Sequence, residues 1–151
     1  MMPYLYADLS VCTGCRICEL VCSLYNEKVI SPSKSRIRVV RIEPSIDMPI
    51  SCRNCVKAPC AEICPTSAIY RDERGVIMVN ENQCIGCSAC VMVCPFGAIT
   101  IHPEKGVAIK CTLCGMCVDF CPVKCLKIID SEKLSMEKCY KFAEQMEAKS
   151  K

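Results

Sequence analysis

Apolar positions in this chain fall in short alternating runs bounded by turn residues, a pattern that predicts small strands rather than long elements. Residues 68–71 and 76–79 read as two strands around a turn that ends at Gly75. Residues 98–101 and 107–110 repeat the arrangement around a second Gly-containing turn. Residues 4–8 and 126–129 also read as β, as does the β-branched stretch RIRVVRI at 36–42, which is expected to lie beside 107–110. From residue 131 onward the periodicity changes. Ser131 or Ser135 can cap a helix whose one face carries Cys139, Phe142, Ala143 and Met146, the other being rich in Lys and Glu. That predicts a packing helix over 131–151. No apolar run approaches the ~20 residues that cross a bilayer.

Between these strands lies the chemistry. The chain has 18 cysteines, and all but Cys125 and Cys139 fall into four runs. They are Cys12, Cys15, Cys18, Cys22; Cys52, Cys55, Cys60, Cys64; Cys84, Cys87, Cys90, Cys94; and Cys111, Cys114, Cys117, Cys121. Three read C-x2-C-x2-C-x3-C and the second is stretched to C-x2-C-x4-C-x3-C. Pro65, Pro95 and Pro122 follow the last three. Gaps of two let three successive thiolates curl around one cubane. The fourth cysteine lies where the chain turns into a short helix and points toward a second cubane, the arrangement of two-cluster bacterial ferredoxins. Four runs therefore predict four [4Fe–4S] clusters. Gly14, Gly86 and Gly115 leave backbone room beside them.

Zinc fits this pattern poorly, since zinc sites use separated cysteine pairs or mix cysteine with histidine, and the one histidine, His102, lies outside every run. A disulfide scaffold would require an oxidising compartment. The opening residues show no basic region, apolar core or twin arginine of an export signal, so a cytoplasmic location is expected. The hydrophobic fraction of 52% includes the cysteines; without them it is about 40%, so the clusters must act as core and staple together. The formal charge of +3 falls to about −5 once four cubanes of charge about −2 are bound, and nucleic acid is not an expected partner. No dinucleotide or phosphate loop and no nucleophile–base pair is present, and no iron is left open for substrate. The chain is thus expected to be non-catalytic.

Motif, hairpin, motif is the layout of a two-cluster ferredoxin, which makes the middle two motifs one unit. The first and fourth motifs then pair, from the two ends of the chain, or else the pairing is sequential, one with two and three with four. The long, proline-broken stretch between Cys22 and Cys52 favours nesting.

The stretches CPTSAI, GVIMVNENQCIGCSACVMVCPFGAI and GVAIKCTLCGMCVDFCP resemble the polyferredoxin electron-transfer subunits of multi-subunit oxidoreductases. Among these are the beta subunits of dimethyl sulfoxide reductase-type enzymes. The segments CRNCVKAPCAEICP and CTGCRICELVCSLYNE resemble most the compact group that accompanies tungsten enzymes of the aldehyde:ferredoxin oxidoreductase type or carbon monoxide dehydrogenase. The resemblance implies an α+β fold of two ferredoxin-like units, one nested inside the other. The outer unit would comprise 1–47 with 110–130, the inner 48–109, and a helical tail 131–151. It also implies ligand sets: Cys12, Cys15, Cys18 with Cys121; Cys111, Cys114, Cys117 with Cys22; Cys52, Cys55, Cys60 with Cys94; and Cys84, Cys87, Cys90 with Cys64. The expected partners are a catalytic subunit, preferably a tungsten or molybdenum pterin enzyme, and an external redox carrier. This sequence departs from larger relatives in lacking an insertion in motif four, and Ser23 stands where the other motifs carry proline.

Outside the motifs, Cys125 and Cys139 read as buried apolar fillers, His102 as a solvated loop residue, and Lys34, Arg36, Arg38 and Arg41 as an exposed strand edge.

Overall fold

The structure is a computed structural model that describes residues 2–43 and 46–130; the helix expected over 131–151, with Cys139, lies outside them. Among the described residues, eight short strands form four separate antiparallel pairs, and each motif contributes a helix. Strand β1 (Pro3–Ala7) pairs with β8 (Leu126–Asp130), with Ala7 opposite Leu126 and Pro3 opposite Asp130. Strands β4 (Ile69–Arg71) and β5 (Ile77–Val79) form one hairpin, β6 (Ile99–Ile101) and β7 (Ala108–Lys110) another.

The expected neighbour of the RIRVVRI stretch is wrong. Its core, β2 (Arg38–Ile42), pairs with β3 (Ile46–Ile50) in a sheet of its own, not with β7. Pro49 in β3 hid that strand, because proline removes a ladder donor. It is tolerated because its register partner Val39 turns its N–H away from the pair, to the buried Glu19 carboxylate at 2.7 Å, so this is a non-hydrogen-bonded pair that asks no N–H of Pro49.

Helix lengths follow the prolines. Helices α2 (Pro59–Glu62), α3 (Ala89–Val93) and α4 (Met116–Asp119) are single turns, each stopped before a Cys-Pro step. The residue before proline is disfavoured in the helical region, and Cys94, the C-cap of α3, is extended. Motif one has no proline, and its helix α1 (Ile17–Glu27) runs on to Lys28, a left-handed cap whose N–H bonds Leu24 O at 3.0 Å.

Two main cores result. Leu5, Ile37, Val39 and Leu126 pack with Cys18, Cys22, Cys117, Cys121 and Cys125, and α1 lies against α4. Ile69, Ile77, Ile99 and Ala108 pack with Cys60 and Cys90, and α2 lies against α3. Cys52, Ala98 and Cys111 form a third, smaller cluster. Each main core mixes cysteines of two motifs: one and four in the first, two and three in the second.

Candidate metal centres

Each cysteine loop is shaped by left-handed backbone around its second cysteine. The residue before it has φ of +65° at Gly14, +46° at Asn54, +67° at Gly86 and +54° at Leu113. In three motifs the residue after it is left-handed too, at Arg16, Ser88 and Gly115. Backbone that switches hand in this way turns successive N–H groups to one side, forming a concavity suited to an anion. Glycine was the legible part of this signal; Leu113 and Arg16 gave none. At Gly86 the requirement is also steric, since a Cβ would clash with the Gly106 carbonyl in the β6–β7 turn.

The loops shape thiol-lined cavities. One is lined by Cys111, Cys114, Cys117 and Cys22. Another has Cys52, Cys55, Cys60 and Cys94 on its wall. A third has Cys84, Cys87, Cys90 and Cys64. In each, three cysteines of one motif meet the fourth of another. Cys12, Cys18 and Cys121 come together around the motif-one and motif-four core. All seventeen cysteines among the described residues are free thiols. Among those residues no group of three or more His, Cys, Asp or Glu converges as a single ion requires. Soft sulfur donors spread round a cavity suit a polynuclear iron–sulfur group.

Electrostatics divides the thiols by position in the motif. Burial pushes Cys18 up to about 12, helped by the Glu19 charge, and pushes Cys60 and Cys111 up to about 11. Burial raises Cys117 further still. These third-position and core thiols are the ones from which a bound metal would have to displace a proton. Cys64 and Cys121, both followed by proline, behave oppositely. Burial opposes ionisation there too, but hydrogen bonds win. Thr66 and the N–H groups of Ala68, Thr66 and Ile69 hold Cys64 low, and the Cys125 thiol with the N–H groups of Cys125, Leu126 and Val123 holds Cys121 low. The Cys-Pro turn thus presents a row of donors to the fourth sulfur.

Other donors reach sulfur directly: Arg36 N–H to Cys22 and Ala108 N–H to Cys84, both at 3.3 Å, and Leu113 N–H to Cys111 at 3.5 Å. Such bonds stabilise electron density on sulfur and so set reduction potential. Cys15, Cys87 and Cys114, each second in its motif, reach the surface.

Three readings need correction or extension. His102 is no solvated loop residue: it is 1% exposed, its Nδ1 accepts from the N–H groups of Glu104 and Lys105, and its Nε2 lies 3.3 Å from Glu27. Lys34 and Arg36 lie before β2 rather than on its edge, and both are paired, Lys34 with Glu104 at 2.7 Å and Arg36 with Glu27 at 3.0 Å. Cys125 is buried as expected, yet its Sγ also lies 3.5 Å from Cys121 Sγ, a hydrogen-bonding contact that sequence spacing did not reveal.

Thiol-lined cavities and donors aimed at sulfur mark an iron–sulfur protein. Residues 45–131 match the 4Fe-4S dicluster domain and residues 9–25 a 4Fe-4S binding domain. The chain belongs to the 4Fe-4S dicluster family of electron-transfer subunits, which are not themselves catalytic. It is 46% identical over 114 residues to the polyferredoxin-like subunit of an aliphatic sulfonate oxidoreductase of Pyrococcus furiosus, covering 73% of this chain and 66% of that one. It is 39% identical to the putative electron transport protein YsaA of Escherichia coli, covering 89% and 94%. It is also 35% identical to the thiosulfate reductase electron transfer subunit PhsB of Salmonella typhi, covering 80% and 71%. No helix among the described residues is long and apolar enough to cross a membrane.

Proposed function

We propose that the chain is a four-cluster relay, two nested pairs of [4Fe–4S] centres passing single electrons between a catalytic subunit and an external carrier. One observation carries this reading: three cavities are each walled by three cysteines of one motif and the fourth of its partner, four with one and two with three in both directions. Cys12, Cys15, Cys18 and Cys121 make the remaining set. The β1–β8 pairing, which brings motif one to motif four, supports the outer unit.

Bound, each cubane supplies a one-electron couple. The protein's own residues do the rest. The thiolates hold the irons, the N–H groups of Arg36, Ala108 and Leu113 fix charge on sulfur, and the buried aliphatic cores keep water away. Because every motif cysteine is a ligand, substrate chemistry belongs to a partner. The relatives named as subunits of a sulfonate oxidoreductase and a thiosulfate reductase support a docked role. The resemblance of the compact motifs favours a tungsten pterin subunit of the aldehyde oxidoreductase type, with carbon monoxide dehydrogenase as the second choice.

Protein purified without oxygen should carry about 16 iron and about 16 acid-labile sulfide per chain, as four cubanes require. Cys121→Ser should then alter the centre held by Cys12, Cys15 and Cys18 and leave the signals of motifs two and three intact. Iron near half that value would remove the four-cluster reading. A change in the centre of motif three instead would make the pairing sequential. Affinity capture from the native host that returns a pterin-containing subunit would establish the preferred partner, and recovery of a lone monomer would point to a freely diffusing carrier.

A further inference from the structure

Lys110 is 2% exposed. An isolated ammonium in such a place is costly unless something of opposite charge answers it. Its Nζ donates to two backbone carbonyls, Ile77 O and, at 3.0 Å, Cys111 O. None of the ion pairs among the described residues involves it, although eight of those pairs use other lysines and arginines. Two partial dipoles do not neutralise a full charge.

The position of those two carbonyls identifies the missing partner. Ile77 lies on the wall of the cavity made by Cys52, Cys55, Cys60 and Cys94. Cys111 lies on the wall of the cavity made with Cys114, Cys117 and Cys22. One ammonium therefore spans the partition between the two halves of the molecule, with a thiolate-ligated site of charge about −2 on each side. The small cluster of Cys52, Ala98 and Cys111 closes the same partition.

We propose that Lys110 is the counter-charge shared by the two inner-facing clusters, a fixed cation that raises both potentials together. A positive charge between two sites stabilises an added electron on either one. Because it is buried, salt and bulk water screen it little. The more distant centres, held by Cys84, Cys87 and Cys90 and by Cys12, Cys15 and Cys18, lie outside its walls and feel it less.

The inference rests on motifs two and four each holding a cubane, and the test separates the two. Lys110→Met keeps the aliphatic stem without charge, and Lys110→Gln keeps a donor for one carbonyl without charge. Iron and sulfide are measured first on the anaerobic full chain, then a redox titration is followed by electron paramagnetic resonance. With full iron content, both variants should show two of the four centres moved to lower potential and two unmoved, and Gln should not restore the shift. Full iron with unmoved potentials, or all four centres moving alike, overturns the proposal. Loss of iron from both variants while the native chain loads fully also overturns it, and makes Lys110 a folding residue. A native chain that itself falls short of full iron would instead sink the four-cluster reading.

Discussion

Motifs two and three reach their common core through neighbouring pieces of chain: β4 and β5 form one hairpin, β6 and β7 the next, and α2 meets α3. Motifs one and four have no such route. Their core forms when β1 finds β8 at the far end of the described chain and the long α1 settles on α4. The same ligand chemistry is thus mounted once on local contacts and once on distant ones. Distant contacts carry a larger loop-closure cost, and the second half spends more elements to meet it. Besides β1–β8 it has the β2–β3 hairpin, the buried Glu19 bond to Val39, and Glu27 at the end of α1 gripping Arg36. The two halves are then fastened to each other. Asn54 donates to Pro3 O at 2.7 Å and accepts from Ile77 N at 3.1 Å, and Arg53 lies over both Tyr4 and Phe96.

Emptying one core at a time would break the comparison most forcefully. Leu126→Ala and Ile99→Ala each remove a side chain 2% exposed, at a cost of about 2–5 kcal/mol. Heating Leu126→Ala should release the iron of motifs one and four first, leaving about half bound to motifs two and three. Ile99→Ala should reverse the order. Simultaneous release in both variants, followed by iron chelation and resonance spectra, would mean that the halves melt as one body.

A smaller effect is expected where the halves join. Asn54→Ala leaves the Ile77 N–H and the Pro3 carbonyl without their partner and should cost about 1–3 kcal/mol. Asn54→Gly relieves the φ of +46° but loses the same bonds, so Gly should recover no more than the backbone part, about 1 kcal/mol. Urea midpoints monitored through cluster absorbance would separate these. A Gly variant as stable as the native chain would show that the loop conformation, rather than the bridge, is what Asn54 contributes.

The finest test concerns Glu27. Its burial favours the neutral acid, but the bonds from Lys105 and Arg36 prevail and hold its carboxyl below the usual 4.5. A depressed carboxylate contributes stability that is present above its unfolded value and lost as pH falls through its folded one. The difference between native protein and Glu27→Gln should therefore stay constant from about pH 5 to 8, at roughly 1 kcal/mol. A difference that slopes within that window, in urea midpoints taken at each pH, would mean that the Glu27 carboxyl is not held below its usual range.

Local chemistry was legible in the sequence, while the neighbours of single strands and side chains were less so. The four motif runs, the two hairpins and the outer strands stand within a residue of where alternation and turn residues put them. Strand β3 escaped because Pro49 disguises it, and β2 was given the wrong neighbour because pairing partners leave no mark on alternation. His102 looked like a turn residue by its neighbours Pro103 and Glu104. Its burial comes from Glu27, far away in the chain. Lys110 closes a strand that alternates as expected, and nothing in that pattern tells that all three of its residues are buried.

The union of β1 with β8 also sets a clock. During synthesis at about 5–20 residues per second, Leu126 emerges roughly 6–24 s after Ala7, its register partner. Motifs two and three are both out well before that, with their hairpins complete. Iron delivered to a nascent chain would find the middle of the protein ready and its first motif still waiting. The N-terminal thiols would be the last to be filled, so an interruption of supply or of translation should leave a half-loaded molecule of one kind rather than a random mixture.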